Sequence, residues 1–230
     1  VIKVIKKEGE LHIPEGCPVC GKPTLVKVSA VSDTKSLVCT NTDCSAKKLK
    51  KFARFVSKNG ADVDGMSEQT LNRFINEGWI RENADIFRLN SHCGEIAALE
   101  GFGEKSEANI LNAIEKSRNI EAEKLLVGLS IPMCGNDVAR KLLSVYSLDE
   151  LVKTASGAEN EDYFSHIEGI GPEKSSSFIR WFHDPRNLQE FENLLSEVRV
   201  AQKQPDASGT RCKGMTFVVT GEVYQYKNRN

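Results

Sequence analysis

The feature that most limits what this chain can fold into is a five-residue phrase that returns four times. It reads hydrophobic–x–Gly–hydrophobic–Gly and runs directly into polar residues suited to a helix start. The copies are Val63-Asp64-Gly65-Met66-Ser67, Leu99-Glu100-Gly101-Phe102-Gly103, Ile131-Pro132-Met133-Cys134-Gly135 and Ile167-Glu168-Gly169-Ile170-Gly171. Their third residues lie 36, 32 and 36 positions apart. Self-similarity at such a period marks one supersecondary unit used repeatedly, each copy burying its apolar face against the next.

Apolar residues at helical spacing flank the phrases, in the runs Glu68–Glu77, Glu104–Arg118, Asn136–Val145 and Pro172–His183. Each unit therefore reads as helix, glycine hairpin, helix. The whole of residues 60–200 is expected to be helical. Four positions after the phrase stands a small or apolar residue in three copies (Leu71, Ala139 and Ser175), but Glu107 in the second. Nothing in the spacing accounts for that glutamate.

Glycine admits positive φ and leaves no Cβ between the backbone and anything approaching it. The helix that follows begins with unsatisfied N–H groups and the positive end of its dipole. A phosphate fits there, and contacts of this kind follow a nucleic-acid backbone without reading bases. The candidate DNA contacts are Gly65, Met66 and Ser67, then Gly101, Phe102 and Gly103, then Cys134 and Gly135, then Gly169, Ile170 and Gly171. Lys105 and Lys174 add charge in the first turn of their helices. The second and fourth hairpins keep both glycines and are expected to bind best. Ser67 and Met133 put a Cβ into the first and third, which are expected to serve packing more. The plain alternative is that such loops only join packed helices; fourfold repetition weighs against it.

Charge distribution supports contacts made by the backbone. The formal net charge is −1. Residues 1–60 carry 12 Lys+Arg against 5 Asp+Glu, a net of +7, and the rest carries −8. The first quarter suits phosphates, whereas an acidic hairpin region needs amide donors.

Four of the seven cysteines cluster as Cys17-x2-Cys20, eighteen residues, Cys39-x4-Cys44. Two close pairs on turns can set four thiolates around one Zn²⁺, one ion per chain, and leave no open position for substrate. The metal is thus expected to be structural, standing in for a core that so short a segment cannot build. Two disulfides or a redox Cys-x-x-Cys are the alternatives; neither an oxidising compartment nor a βαβ context supports them. Cys93, Cys134 and Cys212 read as ordinary buried or partly buried residues. Four thiolates also exclude a zinc hydrolase.

No apolar run is long enough for a membrane span, so no membrane partner is expected, and a reducing cytoplasm suits the thiols. The start, Val1-Ile2-Lys3-Val4-Ile5-Lys6, lacks an initiator Met and the apolar stretch of a signal peptide. It reads as a strand cut from something longer. Near the other end Met215–Gly221 is β-prone and the sequence stops at Asn230, so a domain is expected to begin there without being completed.

The order basic four-cysteine finger, four hairpins, linker and final Thr216-Phe217-Val218-Val219-Thr220-Gly221 strand resembles the C-terminal half of the NAD-dependent bacterial DNA ligases. So do Cys17-Pro18-Val19-Cys20-Gly21, Cys39-Thr40-Asn41, Asp43-Cys44, Leu99 to Ser106 and Asp184-Pro185-Arg186-Asn187. The resemblance implies a mainly α fold: a four-cysteine zinc finger plus a tandem helix-hairpin-helix domain, with short β segments at both ends. It implies the end of an OB-fold at 1–13, the finger at 14–46, four hairpin repeats at 47–200, a linker at 201–212 and the start of a BRCT domain at 213–230. The function implied is the DNA-binding part of an enzyme that seals nicks in duplex DNA in replication and repair. Such an enzyme adenylylates a lysine from NAD, passes AMP to the 5′-phosphate of the nick, and lets the 3′-hydroxyl attack. The nucleophile of that family sits in Lys-x-Asp-Gly. Here Asp64-Gly65 has Asp62 at the lysine position, so no catalytic residue is expected and the segment alone should be inactive. NAD and Mg or Mn belong to a catalytic domain absent from this sequence. The partner implied is nicked double-stranded DNA, bound by a monomer in the bacterial cytoplasm at the nucleoid. A non-enzymatic tandem-hairpin module of a repair or junction-processing protein remains the competing reading.

Overall fold

The computed structural model describes residues 13–28 and 34–201. The OB-fold and BRCT expectations, Cys212 and nearly all of the linker lie outside them. The described chain is mainly helical, as the repeat pattern requires.

It opens with an antiparallel ribbon, β1 (Thr24–Val28) and β2 (Lys35–Cys39), paired from Thr24↔Cys39 to Val28↔Lys35. Helix α1 (Ser45–Val56) leaves the ribbon with Cys44 as its N-cap residue, whose carbonyl accepts from the amides of Lys47 and Lys48. Phe52, Phe55 and Val56 line one stripe of α1 and are buried, because apolar residues three and four apart share a helix face. The same helix therefore ends the ribbon segment and starts the first hairpin.

Two structural halves follow, built alike. In the first, α1 leads through the first hairpin into α2 (Glu68–Asn76). Short pieces then connect, namely α3 (Asn83–Ile86) and a 3₁₀ turn Leu89–His92. The second hairpin joins α4 (Glu95–Ala98) to α5 (Glu104–Ser117), and strand β3 (Asn119–Glu121) closes the half. In the second half, α6 (Ala122–Gly128) leads through the third hairpin into α7 (Asn136–Val145), and α8 (Leu148–Gly157) connects. A 3₁₀ turn Tyr163–His166 leads through the fourth hairpin into α9 (Pro172–His183). Helix α10 (Pro185–Glu197) and strand β4 (Arg199–Ala201) are the last of the described elements. The four amphipathic runs read from sequence match α2, α5, α7 and α9 to within a residue.

Residues 60–200 are not all helical, which corrects that expectation. β3 and β4 form a parallel pair, Asn119↔Arg199 to Glu121↔Ala201. Each strand has only three residues, too few to show a period of two, and each finds its partner far along the chain. Arg118 ties the closure together. Its guanidinium donates to the Phe87 carbonyl at 2.6 Å and the Glu197 carbonyl at 2.7 Å, and it lies over the Phe87 ring. Its own carbonyl accepts from the Arg199 amide at 2.7 Å.

One core runs through both halves. Phe55 meets Phe87 edge-on and Phe74 packs on Phe102, while Phe164, Phe178, Phe182 and Phe191 form a chain of ring contacts. Rings at such spacing combine large apolar burial with favourable edge-to-face geometry. Cys134 joins this core as expected, whereas Cys93 is exposed on the surface, contrary to its expected burial.

Candidate functional site

The four phrases fold into the same turn. The amide of the fourth residue donates to the carbonyl of the first: Met66 to Val63, Phe102 to Leu99, Cys134 to Ile131 and Ile170 to Ile167, at 3.0–3.4 Å. The third residue has positive φ each time: Gly65 +78°, Gly101 +84°, Met133 +60° and Gly169 +81°. Positive φ at that place is what a type II turn requires, and Pro132 suits the place before it. Met133 adopts the conformation without being glycine, against about 1–2 kcal/mol of backbone strain for an L-residue. The sequence pattern alone does not show that the third hairpin keeps this shape.

The first residues and the fourth residues of these turns point inward. Val63, Ile131, Ile167, Met66, Cys134 and Ile170 are buried, and Leu99 and Phe102 pack against the core. Any contact that Met66, Phe102, Cys134 or Ile170 makes outside the chain therefore belongs to its backbone. Gly65, Gly101, Met133 and Gly169 stand exposed at the tips.

The last residue of each phrase is the N-cap of the following helix. Ser67 caps α2 by accepting from the Thr70 amide at 3.1 Å. Gly103, Gly135 and Gly171 provide no side-chain cap for α5, α7 and α9. Their φ values are −172°, −99° and −82°, conformations open to any residue. A Cβ added at any of the three would meet nothing within 4 Å. Serine, aspartate or asparagine is the better cap, and Ser67 shows that one fits. These glycines answer no demand of the fold.

The N-termini differ in how many amides remain free. The first bond accepted by Gly103 comes from Glu107, and by Gly135 from Ala139, so the amides of 104–106 and 136–138 have no partner among the described residues. At α9, Pro172 has no N–H and the Lys174 amide turns back to Gly171. Three basic side chains stand near the start of α7, although Arg140 also pairs with Glu123. Asp137 pairs with Lys141 at 2.9 Å, and Lys141, with Lys174 and Arg140 further off, holds that carboxyl below its usual range. Lys174 donates to the Gly169 carbonyl at 2.9 Å and so braces its own turn, while Lys105 is exposed. Lys141 and Arg140, which the sequence reading passed over, carry no signal until the third and fourth hairpins are brought side by side.

The residue four places after the phrase has a role visible only in three dimensions. In the first and third units it is Leu71 or Ala139, buried against long first helices. In the other two units the first helix is a single turn. There Glu107 accepts from the Gly94 amide at 2.6 Å and the Ala97 amide at 3.1 Å, and Ser175 accepts from the Phe164 amide at 3.0 Å and donates to the Glu161 carbonyl. Each fills the orphan donors of a helix too short to supply its own cap.

The basic run on α1 is largely engaged within the chain. Lys47 donates to the Cys39 carbonyl and Lys48 pairs with Asp43. Lys50 pairs with Glu68, Lys51 with Glu190, and the Arg54 Nε donates to the Val127 carbonyl. These bonds lash the ribbon segment to both halves of the hairpin domain.

The four clustered cysteines converge. All four sulfurs lie within 4.8 Å of one another, with Cys17–Cys44 at 4.0 Å and Cys20–Cys39 at 3.5 Å. Four thiolates about 2.3 Å from a tetrahedral Zn²⁺ stand about 3.8 Å apart, which this set fits. The Gly21 amide closes the first turn on the Cys17 carbonyl at 2.9 Å, with Gly21 at φ +67°. The Lys22 backbone pulls the Cys20 thiol down to about 6, and burial pushes Cys39 up to about 11. The four cysteines can therefore hold a metal ion, closed on all sides by sulfur.

Comparison with known proteins agrees with this architecture. The helix-hairpin-helix motif family matches residues 124–190, the second pair of hairpins. A DNA ligase of Lachnoclostridium phytofermentans is 36% identical over 226 residues, covering 98% of this chain and 34% of that protein. A DNA ligase of Ruminiclostridium cellulolyticum is 35% identical over 228 residues, again 98% and 34%, and one of Thermotoga neapolitana is 33% identical over 221 residues, 95% and 30%. The protein is thus a tandem helix-hairpin-helix protein with a four-cysteine centre. Over nearly all of its own length it is similar to these DNA ligases, and it spans about a third of the length of the curated relatives it matches.

Proposed function

We propose that this chain is the part of an NAD-dependent DNA ligase that grips the duplex around a nick. The observation that carries the reading is the glycine at three helix N-caps, Gly103, Gly135 and Gly171. None needs glycine for φ or for space, and each leaves its helix uncapped. Only something outside the chain gains from the missing side chain, and a phosphate at a helix N-terminus gains most. The donors are the backbone at Gly65–Ser67, Gly101–Gly103, Cys134–Gly135 and Gly169–Gly171, with Lys105 and Lys174 adding charge. Because amides meet phosphates and not base edges, binding is independent of sequence. The free amides at the start of α7 make the third hairpin a stronger contact than Met133 suggests.

Cys17, Cys20, Cys39 and Cys44 hold one structural Zn²⁺, which fixes the ribbon and the start of α1. Adenylylation, with its NAD and Mg or Mn, belongs to a catalytic domain outside this sequence, so the segment itself seals nothing. The whole enzyme works as a monomer in the bacterial cytoplasm on nucleoid DNA. The segments 1–13, 14–46, 47–200, 201–212 and 213–230 are its OB-fold end, finger, hairpin domain, linker and BRCT start. The test is a titration of the chain with nicked and intact duplexes of unrelated sequence. Affinity that is equal across sequences and falls on substitution of Gly103 and Gly135 supports the reading; affinity blind to both substitutions overturns it.

A further inference from the structure

We propose that Glu107 is the positioning residue of the second hairpin: its ionised carboxylate holds the one-turn helix α4, and with it the Gly101–Gly103 turn. This rests on the reading of that hairpin as a DNA contact. Helix α4 has four residues, Glu95–Ala98, entered through Gly94 at φ +84°. A helix of one turn does not stand by itself. Its N-terminal donors, the Gly94 and Ala97 amides, both end on one carboxylate oxygen of Glu107. Its C-terminal end passes directly into the turn: Leu99 donates to Ile96, and Phe102 donates to Leu99. Displacing α4 therefore displaces the turn.

The fourth hairpin solves the same problem without charge. Ser175, at the equivalent place, accepts from Phe164 in the 3₁₀ turn and donates to the Glu161 carbonyl. The first and third hairpins do not face the problem, since their first helices α1 and α6 run 12 and 7 residues, and the equivalent places on α2 and α7 hold the buried Leu71 and Ala139. The substitution that has no reason in sequence is thus matched to a short helix, twice, by different chemistry.

The consequence is that the brace of the second hairpin titrates, whereas the Ser175 hydroxyl that braces the fourth does not. Burial pushes the Glu107 carboxyl up, but the Gly94 and Ala97 amides and the Cys93 thiol outweigh it and hold it below the usual carboxylate range. The titratable neighbour facing it is Cys93, whose Sγ lies 3.4 Å away. On α4, Glu95 turns to His92 instead, and on α5 the nearby Glu104 and Lys105 are exposed. Protonation takes the charge off the carboxylate whose Oε2 both amides share, and so weakens both bonds.

The experiment is residue-resolved amide exchange on the full chain, at several pH values, for the wild type, Glu107→Gln and Ser175→Ala, beside titration with one fixed duplex. In Glu107→Gln, exchange at Gly94 and Ala97 rises about ten- to a hundredfold while Phe164 is unmoved, as expected for losing a charge-assisted bond in one local unit; Ser175→Ala does the reverse. In the wild type, protection at Gly94 and Ala97 relative to Phe164 falls as pH drops through the carboxylate's range, and in Glu107→Gln it is flat. Unchanged protection in Glu107→Gln, equal loss at Phe164, or a flat wild-type profile overturns the proposal. Loosened amides with undiminished duplex affinity would keep the positioning role and remove the second hairpin from the DNA contact.

Discussion

Replacing Gly103 and Gly135 together by serine separates folding from binding more sharply than any other change. Both backbones already sit where serine is comfortable, and both Cβ positions are open. Serine would cap its helix as Ser67 does, with its Oγ accepting from the third amide of the helix, a bond seen at 3.1 Å in the first hairpin. A cap in place of glycine contributes a few tenths of a kcal/mol, and removing glycine from the unfolded chain about 0.4–1 kcal/mol. The two sites together therefore stabilise by about 1–3 kcal/mol, which raises Tm by about 2–4 °C per kcal/mol at this size. Binding moves the other way. Each serine consumes an amide meant for phosphate and stands in its approach, and a hydrogen bond to a charged group contributes about 1.5–3 kcal/mol, or about ten- to a hundredfold per hairpin. Thermal unfolding and fluorescence anisotropy on two unrelated duplexes read the two effects. A protein that is more stable and binds as well as before refutes phosphate capture at these helix starts. A less stable one shows that the glycines serve the fold after all.

Other outcomes follow from the same geometry. Stripping the metal with a chelator should release about one zinc per chain and melt the ribbon together with the start of α1, seen as lost protection at residues 17–48, because the closed thiolate site supplies that segment's folding energy. Truncating Arg118 to alanine should cost about 2–4 kcal/mol in urea unfolding, since two carbonyls and Glu197 lose a charged donor at once. Met133→Gly should leave stability within about 0.5 kcal/mol, the relief of left-handed strain offsetting the gain in unfolded-state freedom; a large loss would mean that the exposed Met133 side chain packs. Acid should unfold the protein from both halves. Glu197, which burial pushes up but Arg88 and Arg118 hold down, and Glu107 both lie below their ordinary values. Their stabilisation is complete above the unfolded carboxylate range and disappears as pH falls through the folded values, so an acid transition that Glu107→Gln leaves unmoved would count against the carboxylate's role.

Much of this molecule is legible in its residues, and the illegible part has a common cause. Helices α2, α5, α7 and α9 follow from apolar spacing because each is long enough to repeat a stripe. The turns follow from glycine, except that Met133 hides a fourth identical turn behind a side chain that merely tolerates it. The cysteine cluster follows from two short spacings. What escapes is whatever depends on a distant partner: the three-residue strands Asn119–Glu121 and Arg199–Ala201, the Arg118 clasp, and the placement of Lys141 beside Gly169. Glu107 belongs to the same group. Its environment is set by the length of the helix before it, which no window around residue 107 contains. The basic run on α1 misleads for a related reason, since its charges find carboxylates and carbonyls on other elements.

The most direct measurement is amide protection on binding a duplex, mapped residue by residue on the full chain. Grip by the hairpins predicts new protection at residues 103–106 and 135–138, with less at 171–174 where Pro172 removes a donor, and the same pattern on duplexes of different sequence. Protection confined to the basic face of residues 45–58, with the hairpin starts unchanged, would contradict it.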